Sequence, residues 1–263
     1  MKKISNIVKV FRTNGLWKTL GLIVRKFSKR KIINYKLYQE LFYDKCGIEI
    51  GGPSAFFNNE VPIYTKIKSL DGVNFSSSTI WEGEIHEGEN YKYGKNKIGY
   101  QFICDAVNLN GIESGKYDFV LSCNSLEHIA NPFKALTEWL RIIKSGGLLL
   151  LVLPYKNSNF DHNRNITSMD HLLEDFNNNI SEEDLTHLDE ILTLHDLSMD
   201  PPAGDFDNFK KRSINNYQNR CLHHHVFDMN LLEQIFKYFK IDLLLNECTK
   251  TDLIIVGKKS YTN

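Results

Sequence analysis

From Cys46 onward, short apolar runs alternate with helical stretches, and this alternation limits the possible folds more than any other feature of the chain. The runs at 47–50, 67–70, 100–104, 119–122 and 148–153 have the length and apolar character of buried strands. Between the last two, Phe133, Leu136, Trp139, Leu140 and Ile143 fall on one face of a helix over 132–143. Asn131-Pro132 suits its start, and Ser145-Gly146-Gly147 suits its end. A further helix at 229–239 precedes strands at 241–245 and 253–256. Such alternation builds an α/β domain on a largely parallel sheet.

Charge divides the chain differently. Residues 1–36 hold eleven of the 32 Lys and Arg and none of the 32 acids, leaving the rest at a net of −11. A basic arm, residues 1–40, therefore precedes an acidic body, residues 41–263. In the arm, Ile4, Ile7, Val8 and Phe11, then Leu16, Trp17, Leu20, Ile23, Val24 and Phe27, recur near helical spacing. Two expectations follow: an amphipathic helix on an anionic membrane surface, or a helix packed on the body with a solvated basic face. No apolar run approaches the roughly twenty residues that span a bilayer, and no secretory h-region is present. Five widely spaced cysteines without a CxxC pair suit a reducing, cytoplasmic setting, with the arm offering peripheral contact at the inner membrane face.

Polar residues gather where the strands end. The first run closes as Ile48-Glu49-Ile50-Gly51-Gly52-Pro53-Ser54, and glycine after a buried strand permits a tight turn and close approach of a ligand. Neither GxGxxG nor GxxxxGK[ST] occurs there, so dinucleotide and phosphate-loop fingerprints are not met. Asp71, ending the second run, suits two ribose hydroxyls, or else belongs to an Asp-Gly turn. Asp105-Ala106 suits an adenine edge, and the fourth run opens into Asn124-Ser125-Leu126-Glu127-His128. Open α/β sheets bind ligands at that end of their strands.

Taken in order, these segments resemble class I S-adenosylmethionine-dependent methyltransferases over roughly residues 45–155. The run Tyr117-Asp118-Phe119-Val120-Leu121-Ser122, the Leu-Glu-His-Ile that follows, and Lys144-Ser145-Gly146-Gly147 carry the likeness best. The Glu-Ile-Gly-Gly-Pro-Ser opening is similar to a subgroup found among bacterial surface-glycan proteins. The resemblance implies a Rossmann-like, doubly wound, mostly parallel seven-stranded sheet with helices on both faces and an antiparallel last strand. It implies S-adenosyl-L-methionine as cofactor, with Glu49, Gly51 and Gly52 at its methionine end. Asp71 would hold the ribose, Asp105 and Ala106 the adenine, and Asn124 the amino-acid moiety. Where many members carry a third glycine in the first loop, Pro53 and Ser54 stand here. Base-modifying members carry Asn/Asp-Pro-Pro-aromatic after the fourth strand; Ser122-Cys123-Asn124-Ser125 and the acidic body argue against a nucleic-acid acceptor.

Residues 155–226 interrupt the alternation with Asp, Asn and His, and include an expected helix over 181–194. Transfer to a hydroxyl needs an aligned acceptor and a base. The candidates are Asp161, His162, His223 and His225, with His128 as the site-shaping alternative from the Leu-Glu-His-Ile segment. Histidine clusters suit transition metals better than magnesium, and no residue is assigned to a metal. The expected activity is O-methylation of a sugar or glycan precursor. A non-catalytic cofactor-binding subunit and a methyltransferase of another small molecule are the alternatives; the oligomeric state is open.

Overall fold

The computed structural model describes residues 32–261, so most of the basic arm lies outside the described residues. Ten strands are present: β1 Cys46–Ile50, β2 Ser69–Asn74, β3 Ser78–Thr79, β4 Gly83–Glu84, β5 Gly88–Gly94, β6 Lys97–Ile103, β7 Tyr117–Cys123, β8 Ile143–Pro154, β9 Ile241–Cys248 and β10 Asp252–Lys259. Eight form one sheet in the order β5-β6-β2-β1-β7-β8-β10-β9, while β3 and β4 pair separately. Strands β6, β2, β1, β7 and β8 run parallel, and β10 inserts antiparallel between β8 and β9. The expected α/β fold with its antiparallel closing strand is therefore present.

The sheet has one strand more than the seven expected. Antiparallel β5 lengthens the β6 edge, and only Tyr91 and Tyr93 turn inward from its polar sequence. Two buried side chains in seven make a weak alternation. Strand β2 also differs, continuing to Asn74 rather than ending at residue 70. Asp71-Gly72 lies within the ladder, paired with Ile48 and Glu49, and is not a turn.

Strand β8 shows why both faces must be covered. Leu149, Leu151 and Leu153 enter one core, while Leu148, Leu150 and Val152 enter the other. Eight α-helices accompany the strands among the described residues: α1 Tyr35–Leu41, α2 Ala55–Asn59, α3 Pro132–Ile142, α4 Met169–Asn177, α5 Leu188–Leu194, α6 Phe206–Ile214, α7 Asn216–Asn219 and α8 Met229–Tyr238. The first core receives Phe133, Leu136 and Trp139 from α3, and Leu232, Ile235 and Phe236 from α8. The second receives Tyr38 of α1, Phe42 just beyond it, and Phe57 of α2. Phe42 meets Phe119 edge-on at 5.0 Å, so the boundary drawn at residue 40 cuts through a packed element. No helix among the described residues is long and apolar enough to cross a membrane.

Capping explains where α3 begins: Asn131 accepts from Lys134 N at 3.0 Å, and Pro132 opens the first turn. It ends at Ile142 and passes directly into β8, which contains the glycines expected to lie beyond it. In the insertion only Leu188–Leu194 of the expected 181–194 helix is α-helical. Helices α4 and α6 were not expected. Both are announced by side-chain caps, Ser168 accepting from His171 N and Asp205 from Asn208 N.

Candidate active site

The carboxyl ends of β1, β2, β6 and β7 border a cavity of about 540 Å³. Its lining includes Gly51, Ser54, Asn74, Phe75, Asp105, Ala106, Asn124, Ser125 and His128, together with Trp81, Glu182 and Arg220. Gly51 N binds Val73 O, Cys104 N binds Asn74 O, and Asn124 N binds Val152 O, extending neighbouring ladders to the rim. Asn124 has φ 50°, turning the chain sharply out of β7. Gly51 has φ +78°, and a Cβ there would sit 2.4 Å from Ser125 Oγ. We expect Gly51→Ala to cost about 1–2 kcal/mol of stability from the left-handed backbone alone. Calorimetry should also show weaker cofactor binding, because Ser125 would be displaced into the cavity; unaltered affinity would remove Gly51 from the site.

Three expected cofactor contacts, Glu49, Gly52 and Asp71, lie off the cavity lining. Glu49 is fully buried and absent from the cavity lining. Its Oε1 accepts from Ser54 N at 3.0 Å and Ser54 Oγ at 2.5 Å, and Oε2 from Tyr64 at 2.5 Å and Tyr91 at 2.7 Å. Burial raises its pKa, and these four bonds oppose the rise. Glu49 thus braces the first loop from beneath. Gly52 packs against that carboxylate and Tyr91, with no room for a Cβ, and also stays off the lining. Asp71 is turned away as well, accepting from Tyr100 N at 2.9 Å and Tyr117 OH at 2.6 Å. Because β2 runs three residues further, Asn74 and Phe75 reach the position expected of Asp71. The apolar step Val73 after Gly72 was the signal for that longer strand.

Asp105, Ala106 and Asn124 line the cavity. Arg220 of the insertion reaches across to Asp105 at 2.9 Å and Glu182 at 3.1 Å, with its guanidinium 5.2 Å from the Phe75 ring centre. The insertion is therefore a wall of the cavity.

The candidate bases separate in space. His162 pairs with Asp196 at 3.0 Å and is not on the lining. His225 is buried with Nε2 3.1 Å from Ala130 O, again off the lining. His223 and Asp161 do meet, at 2.5 Å between Nδ1 and Oδ2. Burial would raise the Asp161 pKa, but His223 and Arg164 hold it down at about 2. Burial would lower that of His223, but Asp161 pushes it up. Each partner thus favours the charged form of the other.

His128 touches both the cavity and this pair, its ring 4.4 Å from that of His223 and 5.5 Å from that of Trp81. Nδ1 lies 3.0 Å from Leu222 O, which can only accept, so Nδ1 carries the proton and Nε2 the lone pair. Burial, and then the charge on His223, keep its pKa well below the ordinary imidazole value.

Glu127 completes the group: one of its carboxylate oxygens and ring nitrogens of His128 and His223 lie within 4.8 Å of one another. Both Glu127 oxygens are buried without a hydrogen-bond partner among the described residues, and burial raises its pKa to about 7. Since the folded value lies above the unfolded one, stability falls as pH rises from the ordinary glutamate value through 7. Glu127→Gln should therefore stabilise the fold at pH 8 by about 1–3 kcal/mol and give little at pH 5. Urea denaturation at both values tests this; no gain at pH 8 would mean that the carboxylate has a partner.

Residues 68–151 match the methyltransferase domain family. Over those residues the chain carries an S-adenosylmethionine-dependent methyltransferase domain, and the sheet order agrees with that match. S-adenosylmethionine is its cofactor. No curated protein matches the chain. Similar solved structures include a SAM-dependent methyltransferase from Aquifex aeolicus, at 10% identity and TM-score 0.47 over 86% of this chain and 89% of that one. Another, from Thermotoga maritima, has 17% identity and TM-score 0.46 over 97% and 99%. An O-methyltransferase family protein from Burkholderia thailandensis has 10% identity and TM-score 0.44 over 87% and 56%.

Proposed function

We propose that this methyltransferase acts on a hydroxyl of a sugar or glycan precursor, with His128 as general base. The observation that carries this is the His128 tautomer: an imidazole lone pair on a nitrogen not held by Leu222, in a side chain that borders the cavity. A neutral imidazole can take the acceptor's proton. The Glu127 carboxylate opposes the positive charge that then builds on His128. Asp161 holds His223 in place, and His223 packs edge-on against the base.

The cavity suits the cofactor in size and lining. Its volume falls within the range of about 300–1,000 Å³ for small-molecule sites. Gly51, Asn124 and Ser125 would hold the amino-acid end, Asn74 and Phe75 the ribose, and Asp105 and Ala106 the adenine. When bound, S-adenosylmethionine supplies an electrophilic methyl group on sulfur and a neutral thioether leaving group. The chain's own task is to align the acceptor, exclude water and accept one proton.

Trp81 supports a sugar. It is half-exposed beside His128, and flat aromatic faces suit the C–H face of a pyranose, while Glu82, Glu182 and Arg220 offer polar contacts. The basic arm of residues 1–36 favours an acceptor held at an anionic membrane surface. Transfer of label from tritiated cofactor to a panel of nucleotide-sugars and glycan lipids tests the acceptor. Labelling confined to non-glycan compounds would reject it, and binding without turnover on any acceptor would favour a non-catalytic subunit.

A further inference from the structure

A second group of histidines lies in the insertion, away from the cavity lining. His171 and Asp175 share one face of α4 at i and i+4, His187 precedes α5, and His225 lies in the segment before α8. One ring nitrogen from each histidine and a carboxylate oxygen of Asp175 lie within 4.8 Å of one another. We propose that His171, Asp175, His187 and His225 form a closed site for a divalent transition-metal ion, zinc above all, which ties three segments of the insertion to one another.

The spacing is that of ligands around one centre. His171 Nε2 stands 3.0 Å from His187 Nε2 and 3.3 Å from Asp175 Oδ2, and His225, whose Nε2 donates to Ala130 O, keeps the lone pair of its buried Nδ1 for the ion. Tetrahedral ligation at about 2.0–2.1 Å separates ligand atoms by about 3.3 Å. The three rings cross at 83°, 58° and 76° with centroids 4.9, 5.8 and 5.5 Å apart, so none stacks on another.

Hydrogen bonding alone satisfies this group poorly. His171 Nε2 faces both another imidazole nitrogen and a carboxylate, and one proton cannot serve both well. Asp175 Oδ2 and His225 Nδ1 are buried and make no hydrogen bond among the described residues, although His225 itself is only 1% exposed. A cation shared by lone pairs removes the conflict. Three imidazoles with one carboxylate select a transition metal over magnesium or calcium, and four protein ligands fill a tetrahedral zinc shell. Outer groups stand where such sites have them: Glu190 Oε2 is 3.7 Å from His187 Nδ1, and Ala130 O is 3.1 Å from His225 Nε2.

The consequence reaches the active site through the chain. His225 follows His223 by two residues, so an ion that fixes His225 also restrains the segment carrying His223. The role is structural, because none of the four ligands borders the cavity.

Metal analysis of the untagged full chain, expressed with zinc, tests the proposal. One equivalent of zinc is expected, with cobalt substitution giving the visible spectrum of a tetrahedral site. Chelation should lower Tm and expose residues 155–226 to protease, and zinc should reverse both. His171→Gln and His187→Gln should lose the equivalent, while Glu127→Gln keeps it. A metal-free chain that binds no added zinc would overturn the proposal, as would loss of metal from Glu127→Gln but not from the other two. If either insertion variant fails to fold, chelation and refilling of the unaltered chain decide.

Discussion

Replacing His128 with Gln is expected to lower kcat by about 100- to 10,000-fold, the usual contribution of a positioned base, while cofactor affinity measured by calorimetry stays within a few-fold. The separation follows from position: His128 lies beside Trp81 and His223, whereas the proposed adenine and ribose contacts lie at β6 and β2. The pH profile gives a second readout. Because its pKa is pushed well below the ordinary imidazole value, His128 remains neutral throughout the neutral range. The rate should therefore hold as pH falls through the usual histidine range and decline only below it. A variant that keeps its rate, or a wild-type acid limb near the unperturbed histidine value, would exclude His128 as the base.

Arg164→Ala should be the most destabilising substitution in the insertion, by about 3–5 kcal/mol, as for other buried ion pairs that lose one partner. Arg164 is 2% exposed, donates to Asp161 Oδ1 at 3.0 Å, and places Nη1 and Nη2 on the carbonyls of His223 and His224 at 2.7 and 3.1 Å. Removing it leaves a buried carboxylate with one partner fewer and uncovers two carbonyls. Arg164→Lys should recover only part of the loss, since an ammonium cannot match the planar fork. The pH signature has a definite sign: Asp161 is held down at about 2, so its stabilisation is present above the ordinary aspartate pKa. It is lost as pH falls from there through about 2. Denaturant titrations of the three proteins would show this, and a deficit under about 1 kcal/mol for Arg164→Ala would contradict the buried-pair account.

How much of the site could be read in advance depended on the kind of residue. Gly51, Asp105 and Asn124 stand just past the ends of β1, β6 and β7, a position legible in the sequence, and with Ala106 they line the cavity. Asp71 misled because Asp-Gly is also turn chemistry; only pairing with Ile48 and Glu49 shows that β2 continues. Glu49 misled for another reason. A carboxylate next to a glycine turn looks ligand-facing, yet two tyrosines and Ser54 surround it from the far side. Tyr91 sits 42 residues away on a strand whose alternation was too sparse to register.

By itself the sequence determined the α/β class, the five parallel strands at the centre of the sheet and the capped helix α3. These are consequences of periodicity and caps, which act over a few residues and so are written locally. Only the tertiary structure decided which of the nine histidines act together. His128 and His223 are 95 residues apart in the chain yet pack ring against ring, while neighbouring His224 and His225 turn to Asn216 and Ala130. Buried polar side chains are selected by the partners that compensate their desolvation, and here those partners come from distant segments brought together by the fold.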